Sequence, residues 1–297
     1  MKQTASAARL SVVLSMVIFG TIGIFRTYIP TVPSGLLASL RGIVGALFLL
    51  AFLYLRGKRL DLAAIRKNLL RLIVSGVLMG FNWILLFEAY RFTSVATATL
   101  CYYMAPVFVI LASPLLLKER LTARRLGCVL VALVGMIPVS GVMSASFGGI
   151  SELNGVALGL GAAVLYACVV LINQTVKDIG AYDKTIVQLG AAGLSVLIYS
   201  LLVEDVSAMP LDAPTLALVG VVCIFHTGIC YALYFGAMGR IPAQTVALLS
   251  YIDPVVSVLL SATLLRQGLD VWGWVGAVLI LGAAVLGELP ARARKEG

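Results

Sequence analysis

Ten apolar stretches of about twenty residues recur along the chain, at about 10–29, 34–55, 70–90, 94–117, 126–143, 154–176, 185–203, 215–237, 242–265 and 271–289, and each is near the length a bilayer requires. Backbone surrounded by lipid has to satisfy its own polar groups, so runs of this kind settle as helices. The links between them are short, which favours a compact bundle. The expected fold is therefore an all-α integral membrane protein with ten transmembrane helices. Composition agrees: 61% of the 297 residues are hydrophobic and 12% are charged, where a soluble domain carries roughly a quarter charged residues. The first run ends in Tyr28-Ile29-Pro30 rather than in a small-residue cleavage site, so it is expected to remain as a helix.

A net charge of +9 raises the question of a nucleic-acid partner, and the placement of the cations answers it. With the N-terminus inside, 18 of the 22 Lys and Arg residues collect on the cytoplasmic face, among them Arg9, Arg56, Arg66, Lys118, Arg124, Lys177, Lys184 and Arg294. Only Arg91 and Arg266 stand opposite, while Arg26 and Arg41 sit within or at the ends of spans. This positive-inside bias predicts an inner-membrane protein with both termini cytoplasmic. The cations then lie near anionic headgroups, and no nucleic acid is called for. Between Arg59 and Leu72, apolar Leu62, Ile65, Leu69 and Leu72 recur at helical spacing with Arg66 and Lys67 opposite, which predicts a short interfacial helix. Trp272, Trp274, Tyr28, Tyr90 and Tyr199 fall at span ends, where an aromatic belt belongs.

Several chemistries lack their residues. The five cysteines, Cys101, Cys128, Cys168, Cys223 and Cys230, lie inside apolar runs and read as small packing residues. One histidine and no Cys-x-x-Cys pair argue against a structural zinc, and no cofactor is expected. No Walker, His-Glu-x-x-His or Gly-x-Ser-x-Gly sequence is present to support an ATP-driven pump or a hydrolase.

The second half of the chain echoes the first at an offset of about 148 residues. Gly80 matches Gly228, Phe87 matches Phe235, Leu100 matches Leu248, Tyr103 matches Tyr251, Pro106 matches Pro254 and Ser113 matches Ser261. The order of these matches over some fifty residues gives them their weight. Two units follow, 1–148 and 149–297, each with five helices. An odd number of helices makes the second unit enter the membrane from the opposite side. Two inverted repeats around a central cavity suit a secondary transporter that works by alternating access.

The run Ala89-Tyr90-Arg91-Phe92-Thr93-Ser94-Val95-Ala96, the following Met104-Ala105-Pro106, Leu117-Lys118-Glu119-Arg120-Leu121-Thr122 with Gly127, and Leu40-Arg41-Gly42 resemble the EamA repeat of the drug/metabolite transporter superfamily. The resemblance covers essentially the whole length. It implies ten helices in two inverted repeats, with a cavity lined by spans 1, 3, 4, 6, 8 and 9. It also implies export of amino acids and related metabolites, or carriage of other small solutes. The second repeat departs from the pattern, with Gln267 at the place of Glu119 and Gln188 at that of Arg41.

Ionisable groups inside a bilayer cost about 2.5 kcal/mol or more each, so each needs a reason. Asp253 lies halfway along span 9, before Pro254, and shares one helical stripe with Ser250, Ser257 and Ser261. It is read as a carboxylate that binds a cationic substrate group or a proton, or else as one held by neighbouring hydroxyls or a cation to lock helix packing. His226 suits proton coupling by its titration range or packs as a neutral ring. Glu88 is expected to pair with Arg91 three residues on. Arg41 is expected to pair with Glu88 or with carbonyls at a helix junction rather than with substrate. Asn82, Trp83, Tyr102, Tyr103, Tyr166, His226, Tyr231, Tyr251 and Asp253 are the candidate substrate-binding residues, an apolar wall with a few polar tips. Pro106 and Pro254 are the candidate hinges. The expected partners are a small-molecule substrate and the lipid bilayer, with the chain as a monomer or weak homo-oligomer. Two rivals stand beside this reading: an intramembrane enzyme using Asp253 and His226 as acid and base, and a passive channel.

Overall fold

A computed structural model describes residues 5–116, 123–139, 143, 149–209, 211–237, 240, 241 and 243–288. Lys118, Glu119 and Arg120, the boundary expected at 148, and the basic residues Lys2, Arg292, Arg294 and Lys295 lie outside them. Fourteen α-helices follow in order: α1 (Ala5–Gly20), α2 (Ile22–Tyr28), α3 (Ser34–Leu55), α4 (Leu62–Phe92), α5 (Val95–Tyr102), α6 (Ala105–Leu116), α7 (Ala123–Val139), α8 (Ile150–Thr175), α9 (Ala181–Val203), α10 (Ala213–Gly220), α11 (Cys230–Ala237), α12 (Ala243–Ser250), α13 (Ile252–Thr263) and α14 (Val271–Glu288). A π-helical stretch, Val221–Ile229, joins α10 to α11. No strand occurs among the described residues.

Seven helical segments are long and apolar enough to cross a membrane: Ala5–Tyr28, Ser34–Leu55, Leu62–Phe92, Val95–Ala112, Ile150–Thr175, Ala181–Val203 and Ala213–Ala237. The three remaining runs form shorter apolar helices, Leu126–Val139, Ile252–Thr263 and Val271–Gly287.

Four segments are irregular part-way along. α1 gives way to α2 at Thr21. The α5–α6 pair breaks at Tyr103 and Met104, just before Pro106, and α12–α13 breaks at Tyr251, just before Pro254. Proline has no N–H to donate and crowds the preceding turn, so it fits the first turn of a new helix better than the interior of an old one. The fourth irregularity is the π-helical stretch, a wider turn that is seldom kept without a local reason.

One expectation changes. The basic segment read as a separate interfacial helix is the start of α4, a continuous helix of 31 residues. At 1.5 Å per residue that is about 46 Å, longer than a hydrocarbon core of about 30 Å. Its start is fixed by Asp61, whose carboxylate accepts the Ala64 N–H at 3.0 Å. With no Pro anywhere in Leu62–Phe92 to interrupt it, the helix simply runs on. Asn68 donates to the Lys177 carbonyl at 3.0 Å and Lys67 meets Asp178 at 3.0 Å, which ties this overhang to the end of α8.

Close packing joins α3 to α9. A Cβ on Gly42 would lie 2.6 Å from the Gly193 nitrogen, and one on Gly193 would lie 2.6 Å from the Ile43 nitrogen. Membrane helices approach this closely only where small residues face each other. Gly135 and Gly276 play the same part between α7 and α14.

Candidate functional site

The broken segments surround a cavity of about 550 Å³. At one end it is walled by Arg41, Trp83 and Tyr90, and toward the other it reaches Asn173, Gln174 and Lys184. Tyr102, Tyr103, Tyr166, Tyr231 and Tyr251 line its sides, with Ser250, Asp253 and Ser257. Tyr166 sits inside the bundle yet keeps 39% of its surface open, so the space beside it is real. The tyrosines form a connected wall: ring centres are 5.4 Å apart for Tyr102 and Tyr166, 6.0 Å for Tyr102 and Tyr103, and 6.1 Å for Tyr103 and Tyr251.

Asp253 owes its place to the break at Tyr251. That break puts the carboxylate in the first turn of α13, where unpaired N–H groups and the helix dipole favour negative charge. Gly20 allows α1 to approach this turn, since a Cβ there would lie 2.6 Å from the Asp253 carbonyl oxygen. The polar stripe on α13 divides its labour. Ser257 shares a 3.0 Å hydrogen bond with Thr99 of α5, Ser261 donates to the Gln267 carbonyl at 3.3 Å, and Asp253 faces the cavity beside Tyr103.

Arg41 does not pair with Glu88. Its Nε donates to Thr227 Oγ1 at 2.9 Å, and its guanidinium lies 4.2 Å from the centre of the Trp83 ring. The local sequence explains the contact. A Cβ on Gly45, one turn along α3, would lie 2.5 Å from Thr227 Cγ2, so glycine there lets the π-helical stretch come close.

Glu88 instead takes Arg91 at 2.9 Å and accepts from Ser34 Oγ at 2.5 Å. Ser34 in turn accepts from Arg26 Nη2 at 3.0 Å, and Arg26 Nη1 donates to the Ile29 carbonyl. Glu204 accepts the Gly35 and Leu36 N–H groups at 2.7 and 3.0 Å, capping the start of α3. This network covers the bundle beyond Arg41, among buried Ile29, Val32 and Phe87. Toward the other end, Gln188 donates to Ser75 at 2.6 Å and to Asn173 at 2.7 Å, linking α9, α4 and α8.

Two candidate substrate residues do not line the cavity. Asn82 is buried between α4 and α8, donating to the Ala162 carbonyl at 2.5 Å. His226 is fully buried, with Nδ1 3.3 Å from the Val221 carbonyl and Nε2 2.7 Å from Thr21 Oγ1. The Thr21 hydroxyl also donates to the Ile18 carbonyl at 2.8 Å, so the ring is tied into the backbone turn at the break. His226 therefore joins the break in the first segment to the π-helical stretch, and no hydrogen bond brings it to Asp253. In both cases the residue type was visible in the sequence and its helical phase relative to the cavity was not.

Glu204 and Arg26 join this network without having been among the residues expected to form it. Arg26 carried a signal, being an arginine within or beside an apolar run. The hydroxyls that matter, Thr21, Thr99 and Thr227, carried none, because isolated threonines in membrane helices are ordinary.

Lipid-length apolar helices packed around a cavity with an aromatic wall and a few charged tips define a multi-span membrane transport protein. The chain belongs to the EamA-like transporter family, which matches it twice, over residues 7–141 and 153–287. It is 27% identical over 284 residues to an uncharacterized transporter of Bacillus subtilis, YxxF, covering 95% of this chain and 89% of that one. An uncharacterized inner membrane transporter of Salmonella typhimurium, YicL, is 23% identical over 298 residues, with 96% of each chain covered. A protein of known crystal structure shares the fold at a TM-score of 0.66 and 23% identity, over 94% of this chain and 96% of the other.

Proposed function

We propose that this transporter exports amino acids or related small polar metabolites across the inner membrane by alternating access. The observation that carries the reading is the cavity itself, which sets Arg41 and Asp253 on one tyrosine-lined space and continues toward exposed Gln174. At the other end the Arg26–Ser34–Glu88–Arg91 network and the Glu204 cap lie across the bundle. With the basic residues placed inside, Gln174 and Lys184 lie at the cytoplasmic end of the cavity, which supports reading it as open inward. A space reached from one side is the resting form of a carrier rather than of an open channel.

Two inverted units, 1–148 and 149–297, are supported by contacts that recur at an offset of about 148 residues. Asn82 meets Ala162, and its counterpart Cys230 meets Ser15 through a 3.1 Å Sγ contact to the Ser15 carbonyl. The α3–α9 contact runs antiparallel, Gly35 to Glu204 and Gly42 to Gly193, as a twofold axis in the membrane plane requires. The inner-membrane description of the Salmonella relative agrees with the placement of the basic residues. The unit is taken to be a monomer or a weak homo-oligomer, since the cavity is complete within one chain.

The test compares metabolites that accumulate outside cells with and without the protein, followed by counterflow of the enriched compounds in proteoliposomes. Saturable counterflow of amino acids is the expected result. Unsaturated, ion-like flux would replace the carrier with a channel.

A further inference from the structure

We infer that Arg41 is the cavity's anion anchor, binding the carboxylate of the transported solute through its open guanidinium edge while Asp253 takes the solute's ammonium group. The inference deepens the export reading and rests on the cavity being the substrate site.

Arg41 is 5% exposed, and no carboxylate among the described residues lies within salt-bridge distance of it. A buried cation with no carboxylate in contact is costly inside a bilayer, and Asp253 acts on it only from elsewhere on the cavity, which leaves its hydrogen-bonding edge to be satisfied. Its fixed contacts use one nitrogen and one face. Nε is held by Thr227 and the plane is backed by Trp83, with Phe87 further out at 5.8 Å. Nη1 and Nη2 have no hydrogen-bond partner among the described residues, and the side chain borders the cavity. A planar fork whose orientation is already set and whose outer edge is open fits a carboxylate in bidentate fashion. Ordering the side chain beforehand also removes part of the cost of binding.

Two other residues act as internal controls. Arg26 is equally buried, but both of its terminal nitrogens are occupied, by Ile29 and Ser34, and it stands beside Glu88. It is a structural arginine, and it does not border the cavity. Gln188 occupies the position matching Arg41 in the second half and is taken up by Ser75 and Asn173. Among the described arginines Arg41 is the one that borders the cavity, and its single open edge accommodates one solute carboxylate. Asp253 borders the same cavity without an ion pair to Arg41, so the two opposite charges are satisfied together by a solute that bridges them. The tyrosines between them suit an apolar or aromatic body and an ammonium against ring faces.

The experiment uses the purified full chain carrying Trp272→Phe and Trp274→Phe, which leaves Trp83 as its one tryptophan and places the reporter against Arg41. Four probes are titrated: L-phenylalanine, phenethylamine, 3-phenylpropionate and sodium chloride. Saturable quenching by L-phenylalanine is expected, with phenethylamine at least about tenfold weaker, the scale of losing one hydrogen-bonded charge pair. Arg41→Gln should bring L-phenylalanine down to the level of phenethylamine and abolish the response to 3-phenylpropionate. Thr227→Val should weaken both carboxylates while keeping the charge. Equal binding of L-phenylalanine and phenethylamine to the unaltered site overturns the inference without any appeal to a variant. So does a saturable chloride response that L-phenylalanine does not displace, because an inorganic ion then occupies the fork. Should none of the four probes bind while counterflow of other solutes persists, the anchor is wrong and export stands. Should no solute show counterflow either, the export reading falls with it.

Discussion

Tyr103 of the first half donates its hydroxyl to the Ser250 carbonyl of the second half at 3.3 Å. That carbonyl is the one Pro254, four residues on, has no N–H to satisfy. A buried carbonyl left without a donor costs free energy comparable to a lost hydrogen bond. The break in one unit is thus stitched by the residue at the break in the other, since Tyr103 and Tyr251 sit at matching points ahead of Pro106 and Pro254. The same hydroxyl lies beside the Asp253 carboxylate, so this contact sits at the cavity wall.

Asp253→Asn keeps the size and the hydrogen-bonding shape of the side chain while removing its charge. Flux in proteoliposomes should fall by roughly tenfold or more, the scale of a lost charge-assisted contact, while the protein elutes as wild type. Unchanged flux with unchanged pH dependence would show that the carboxylate has no part in transport.

Pro254→Ala restores an N–H for Ser250 and removes the reason for the break at Tyr251. The straightened helix competes with Tyr103 for the carbonyl and should bias the cavity toward one face. A cysteine at exposed Gln174, in a background without the native cysteines, reports the change as an altered labelling rate. Equal labelling with and without the proline would remove Pro254 from the list of hinges.

His226→Gln is expected to separate stability from transport. The ring bridges Thr21 and Val221 and does not border the cavity. Loss of that bridge should lower stability by about 1–3 kcal/mol, read as a lower melting temperature in detergent. Substrate affinity should stay within about twofold, a difference of well under 1 kcal/mol. A large fall in affinity at unchanged melting temperature would return His226 to the binding set.

Gly42→Val places side-chain atoms where the Gly193 backbone already stands, 2.6 Å from the position of a Cβ. Overpacking of this kind costs about 1–3 kcal/mol, and more where backbone has to move. Thermal unfolding should shift downward, and the same change at Gly220, where nothing lies within 4 Å, should shift it far less. Equal effects at the two positions would mean that α3 and α9 are not in close contact.

The apolar runs, the doubled halves and the two prolines were legible because each is a local or periodic property of the chain. Trp83, Tyr102, Tyr103, Tyr166, Tyr231, Tyr251 and Asp253 all border the cavity, since a polar or aromatic tip at mid-depth is a usable signal. Asn82 and His226 carry the same signal and face neighbouring helices, because the direction a helix presents to the centre is set by packing against its neighbours. The partner of Arg41 is neither Glu88 nor a carbonyl for a related reason: the residue it holds, Thr227, is 186 positions away on a stretch whose π-helical winding no periodicity announces. The continuity of α4 was hidden by composition, since its first turns are basic although the backbone runs on unbroken.

The seam between α3 and α9 has a mechanical consequence. With Gly42 and Gly193 in backbone contact, the two helices have no clearance to slide along each other. Relative movement is left with rotation about that line, which makes the seam a fulcrum. A small angle there would become a large excursion at the ends of the bundle, with the interruptions at Thr21, Tyr103 and Tyr251 as the places where the helices can give.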